Sequence, residues 1–123
     1  MTKSRTELLD ERLHALRSSS SDLEGVAIIS IEGLAIATSL PSNAHEERIS
    51  AMSAVMLSMG ERIVDELQRG NLDQIYIKGD DGFVVLMSIG KDAVLTALAR
   101  EKAQLGLLLL DMKNAMKDLR EII

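Results

Sequence analysis

The chain has 123 residues, of which 46% are hydrophobic and 27% charged, and its net charge is −5. That length holds one domain with a real core and is too short for two, so residues 1–123 are read as a single domain. There is no Cys or Trp, and aromatic residues make up 2% of the chain. These facts exclude disulfides and thiolate chemistry, leave few stacking platforms for bases or sugars, and, with no basic cluster in the sequence, argue against a nucleic-acid partner.

Residues 4–17 read as a first helix. Ser4 and Glu7 fit a capping box, and Leu9, Leu13 and Leu16 share one face. The serines Ser18, Ser19, Ser20 and Ser21 should end it, because serine competes for backbone hydrogen bonds. Residues 26–31 (VAIISI) and 34–38 (LAIAT) read as two strands, with Glu32-Gly33 as a two-residue turn. Leu40-Pro41-Ser42-Asn43 breaks the pattern. A long helix follows over residues 44–69, with Gly70 as its cap. Residues 74–78 (QIYIK) alternate as a half-exposed or edge strand would. Residues 83–89 (FVVLMSI) and 93–99 (AVLTALA) are nearly continuous apolar strands, joined by Gly90-Lys91-Asp92. A last helix covers residues 101–122, with Leu105, Leu108, Leu109, Met112, Met116 and Leu119 toward the core.

The order is α-β-β-α-β-β-β-α. Links within the strand groups are too short for parallel crossovers, so the five-stranded sheet is antiparallel. Three strands lack polar alternation and must be buried on both faces. The expected fold is therefore α/β (α+β), a three-layer αβα sandwich. By area, the middle helix should shield one face and the terminal helices share the other, an assignment that could be reversed in detail.

Residues 49–60 (ISAMSAVMLSMG) carry no charge, although charged residues flank them on both sides. A helix packed on one side of a domain keeps a charged face toward water. Twelve helical residues rise only about 18 Å, too short for a bilayer core. Two dry faces are therefore expected. Ile49, Met52, Met56, Met59 and Ile63 form one stripe, assigned here to the protein's own sheet. Ser50, Ala54 and Ser58, with Ala51 and Val55 alongside, form another, assigned to close packing against a second helix.

The chemistry-bearing residues form no catalytic constellation. His14 and His45 stand among charged helix residues without a second ligand at metal spacing. There is no phosphate-binding G-x-x-x-x-G-K-[ST] run, and Asp80-Asp81-Gly82 lacks the rest of a calcium loop. No catalytic residue, cofactor or metal site is expected, nor an enzyme. The polar residues 1–10 lack a secretory apolar run, and the longest apolar run, residues 107–110, is far below a membrane span. The expected location is the cytoplasm, with no membrane insertion.

Three segments resemble one family. Residues 25–37 (GVAIISIEGLAIA) are similar to the first hairpin of the Roadblock family, residues 49–54 (ISAMSA) to the start of its central helix, and residues 103–108 (AQLGLL) to the opening of its last helix. The resemblance covers essentially the whole chain. It implies a Roadblock-like fold and a homodimer, with central helices side by side and third strands meeting edge to edge. Joined to the dry helix face, it makes Ser50, Ala51, Ala54, Val55, Ser58, Ile75, Tyr76 and Ile77 the candidate dimer interface.

The family's usual role, carried by resemblance, is to bind and regulate small Ras-like GTPases, in its gliding-motility branch by promoting GTP hydrolysis. Expected contacts with such a partner are Glu47, Arg48, Leu57, Glu61, Arg62 and Asp65. An arginine supplied in trans can accelerate GTP hydrolysis, but Arg48 and Arg62 read first as surface charges with helical partners. The alternative is an adaptor dimer that docks onto a motor, kinase or polar complex without a GTPase. A small-molecule sensor is disfavoured by the scarcity of aromatic and buried polar anchors.

Overall fold

The computed structural model describes residues 2–123. Its elements are α1 (Arg5–Ser19), β1 (Leu23–Ser30), β2 (Ala35–Ser39), α2 (Glu46–Glu66), β3 (Gln74–Gly79), β4 (Gly82–Ile89), β5 (Ala93–Arg100) and α3 (Leu105–Ile122). The strands form one antiparallel sheet in the order β2-β1-β5-β4-β3. The three strands expected to be buried on both faces, β1, β5 and β4, sit in its middle. β3 is an edge, one of the two readings its alternation allowed, and β2 is the other.

The helices divide as expected. α1 and α3 cover one face, where Leu9, Leu13 and Leu16 meet Val26, Ile28, Leu95, Met112 and Leu119. α2 covers the other, where Leu57 meets Ala27, Ile29, Leu86 and Val94. Alternate residues of β1 thus serve opposite layers, the period-two geometry of a strand. The layers are unequal: among the described residues, nineteen buried residues form the α1/α3 cluster and five the α2 cluster.

Polar contacts fix the α1/α3 layer. Arg12 Nε donates to Asp118 Oδ2 at 2.6 Å across the two helices. At the opposite end, Asp22 accepts from Arg100 Nη2 at 2.7 Å and from the Gln104 backbone N–H at 3.1 Å. The Arg100 guanidinium first, and then the Gln104 N–H, hold the Asp22 carboxyl below the usual carboxylate range.

Several boundaries differ from the sequence reading. α1 runs on through Ser18 and Ser19, because the Ser19 hydroxyl bonds back to Leu16 O at 2.9 Å instead of breaking the helix. Ser4 caps the Glu7 N–H at 3.1 Å, and its hydroxyl donates to the Glu7 carboxylate, so the reciprocal bond is between side chains. The first hairpin turns over Ile31–Leu34 and not over two residues. The Ser30 N–H reaches Leu34 O at 2.8 Å, and Ser30 Oγ accepts from the Leu34 N–H at 3.2 Å. α2 ends at Glu66, with Leu67 and not Gly70 as its cap. Gln68 takes the left-handed conformation at φ 56°, and the Arg69 N–H closes on Val64 O at 2.7 Å, which satisfies the last carbonyls.

Candidate interaction surface

α2 lies on the sheet through small residues. Ser50, Ser53, Leu57 and Gly60 are its buried positions, and Leu57 is the only large one. A Cβ on Gly60 would sit 2.8 Å from Ile75 Cδ1, so the missing side chain lets the helix approach β3. Ser53 Oγ accepts from Thr96 Oγ1 at 2.8 Å, a buried hydroxyl pair between α2 and β5. The Ser50 hydroxyl is used within the helix, donating to Glu46 O at 2.8 Å.

The opposite face of α2 is apolar and open. Met52 is 59% exposed, Val55 63%, Met59 48% and Ile63 49%. This overturns the assignment of the methionine stripe to the protein's own sheet, and removes Ser50 from the other stripe. The methionine stripe faces outward, while Ser50 turns onto the protein's own sheet and leaves the surface. Ala54 is half-buried beside the hairpin, and a Cβ on Gly33 would meet it at 3.7 Å. Ser58, Ala51 and Val55 remain exposed. The physical reason is distance: serine and glycine bring helix and sheet close together, and methionines on that side would hold them apart.

The outward stripe has a period of its own. Met52, Val55, Met59 and Ile63 are spaced three, four and four apart, the spacing of a seam between packed helices. Beside it runs a groove of about 430 Å³, walled by Ile49, Met52 and Met56 of α2 and by Ile77, Val84 and Leu86 of the sheet. It opens toward the free edge, β3. There Ile75 is half-buried, while Tyr76 and Ile77 are exposed. Tyr76 and Ile77 point to opposite faces of β3, so only Ile77 joins the groove. The Tyr76 hydroxyl donates to Gln74 Oε1. Partial burial, and secondarily the Asp73 charge, push its phenol above the usual value.

The expected partner contacts separate into three places. Glu61, Arg62 and Asp65 line a polar hollow of about 870 Å³, shared with Asp73, Lys91 and Arg120. Arg62 is paired there with Glu66 at 2.9 Å, the helical partner anticipated for it. Glu47 and Arg48 lie exposed at the other end of α2, about 20 Å away at a helical rise of about 1.5 Å per residue. Leu57 is 1% exposed and anchors the helix, so it is not available to a partner. Sequence reasoning also missed the hairpin tip. Ile31 and Leu34 are exposed, and Ile31 borders a second groove with Val55 and Met59.

No group of His, Asp or Glu side chains able to hold a metal ion occurs among the described residues. No described helix is long and apolar enough to cross a membrane.

The structure is an αβα sandwich with an uncharged, exposed stripe on α2 and an open strand, β3, beside it. Residues 9–99 match the Roadblock/LC7 domain, and the chain belongs to that family. An uncharacterized protein of Methanocaldococcus jannaschii is 30% identical over 98 residues, covering 80% of this chain and 85% of the relative. Myxococcus xanthus MglB superposes with a TM-score of 0.90 at 15% identity, over 99% of this chain and 92% of that one. A Roadblock/LC7 domain from Streptomyces avermitilis superposes with a TM-score of 0.85 at 18% identity, over 91% and 94%. At these identities the two structures establish the shared fold. They also agree with the topology expected from the sequence.

Proposed function

We propose that this protein is a non-catalytic homodimer that binds a small Ras-like GTPase and regulates it, promoting GTP hydrolysis by ordering the GTPase's own catalytic groups. The observation that carries the reading is the uncharged seam of Met52, Val55, Met59 and Ile63 beside the open edge of β3. A second copy of this chain fits both features at once. Two β3 edges paired antiparallel about a twofold axis continue the sheet. The same axis sets the two α2 helices antiparallel, seam to seam, over the junction.

The interface is then Met52, Val55, Met59 and Ile63 with Ile75 and Ile77, flanked by Ala51, Met56, Ser58 and Tyr76. Antiparallel helices also bring Glu47 and Arg48 of one copy toward Glu61, Arg62 and Asp65 of the other. Charged clusters that lie apart in one protomer thus become neighbours across the pair, which gives the GTPase a composite platform. Membership in the Roadblock/LC7 family supports the partner class.

The test is to titrate the protein into a co-encoded Ras-like GTPase loaded with GDP or with a non-hydrolysable GTP analogue, and to measure binding and GTP turnover. Binding that favours one nucleotide state, with faster hydrolysis, is expected. A folded dimer that binds neither state would refute the GTPase reading and leave the adaptor role.

A further inference from the structure

The two halves of this fold are anchored very differently, and the difference has a consequence for the proposed dimer. α1 and α3 bury Leu9, Leu13, Leu16, Leu108, Met112, Ala115, Met116 and Leu119 in the larger cluster. α2 is the longest helix, at 21 residues, yet its buried positions are Ser50, Ser53, Leu57 and Gly60. Of its large apolar side chains, Met52, Val55, Met59 and Ile63 are exposed, while Leu57 is buried and Met56 packs half-buried beside it. Helical stability in a protein comes mostly from packing of an apolar face, and segments with few buried apolar contacts open first. α2 therefore has most of its large apolar side chains on the face turned away from its own sheet.

We propose that the second copy is what clamps α2 in place: docking of α2 and self-association are one coupled event, and the surface offered to a partner exists only in the dimer. The inference rests on the homodimer reading and deepens it. In the paired state the seam of each α2 is covered by the other, and the groove walled by Ile49, Met52, Met56, Ile77, Val84 and Leu86 is closed. In the separated state the helix is held by Leu57, the half-buried Met56, the close approach at Gly60 and the Ser53–Thr96 hydrogen bond. By linkage, a partner that binds the paired helices strengthens the dimer, and dilution weakens partner binding more steeply than a simple one-site equilibrium does.

Hydrogen exchange tests this, read element by element at concentrations above and below dimer dissociation, with sedimentation recorded in parallel. Ile77→Lys supplies a second route to the monomer, because the charge falls on β3 and leaves α2 itself unchanged. If that variant does not fold, dilution of the unsubstituted chain gives the same readout. In the monomer the amides of α2 should lose protection by about 100-fold or more relative to the dimer, the scale of several large side chains uncovered together. Amides of β1, β5 and α3 should keep theirs. A monomer in which α2 stays as protected as α3 would overturn the inference and leave the dimer intact. Sedimentation as a monomer at every concentration would overturn the dimer reading and this inference with it.

Discussion

Replacing Met52 and Met59 together by Gln separates the two roles their positions could have. In one protomer these side chains are already 59% and 48% exposed. Met and Gln have similar helix propensities, so the change should leave the isolated fold within about 0.5 kcal/mol. In a dimer that covers the seam, each position gives up roughly half the burial of a large side chain, on the order of 1 kcal/mol. Two positions on each of two copies then weaken association by roughly 4 kcal/mol, about a thousandfold in Kd. Sedimentation equilibrium measures the Kd, and urea denaturation at low concentration checks the protomer. An unchanged Kd in a folded double variant would show that the seam does not hold the copies together.

Three further outcomes follow from the packing and from one perturbed carboxyl. Ser53→Ala should cost about 1–3 kcal/mol by orphaning the buried Thr96 hydroxyl, whereas Ser53→Ala with Thr96→Val should be nearly neutral; a denaturation double-mutant cycle that shows simple additivity would contradict this. The folded Asp22 pKa lies below its usual value, so the stability it contributes is present at neutral pH and is lost as pH falls through the folded value. Asp22→Asn should therefore flatten the acid limb of Tm against pH below about 4, and an unchanged slope would count against the Arg100 contact. A Cβ on Gly82 would lie 2.5 Å from the Ala99 carbonyl oxygen, so Gly82→Ala should destabilise by about 1–3 kcal/mol, read by thermal unfolding, and a neutral result would mean that the β4–β5 register yields.

The layers and the buried strands were legible because they rest on periodicity that burial enforces. Continuous apolar runs marked β1, β4 and β5 as buried on both faces, and the alternation of residues 74–78 marked β3 as half-exposed or an edge, whereas the order of strands in the sheet was not legible. Turn lengths were harder, because they depend on single hydrogen bonds such as Ser30 Oγ to the Leu34 N–H. The second dry face of α2 was found, but the methionine stripe and Ser50 were assigned to the wrong sides. Both stripes of residues 49–60 lack charge, so hydrophobicity alone could not orient them. What orients them is side-chain size: Ser50, Ser53 and Gly60 allow the close approach of helix to sheet around Leu57, whereas Met52, Met59 and Ile63 would hold the two apart. The exposed hairpin tip, Ile31 and Leu34, gave no sequence signal, since an apolar residue in a turn looks like the end of a strand.

The place where two copies meet can be read most directly by cysteine cross-linking, since the chain contains no Cys of its own. Single substitutions Met52→Cys, Met59→Cys and Ile77→Cys sample the seam and the β3 edge. Glu24→Cys and Asn114→Cys sample exposed positions on β1 and α3. Under mild oxidation, covalent dimers are expected from at least one seam position and from Ile77→Cys, and not from the two controls. Cross-links that form as readily through Glu24→Cys or Asn114→Cys, or none from the seam and edge in a folded protein, would contradict a dimer built on α2 and β3.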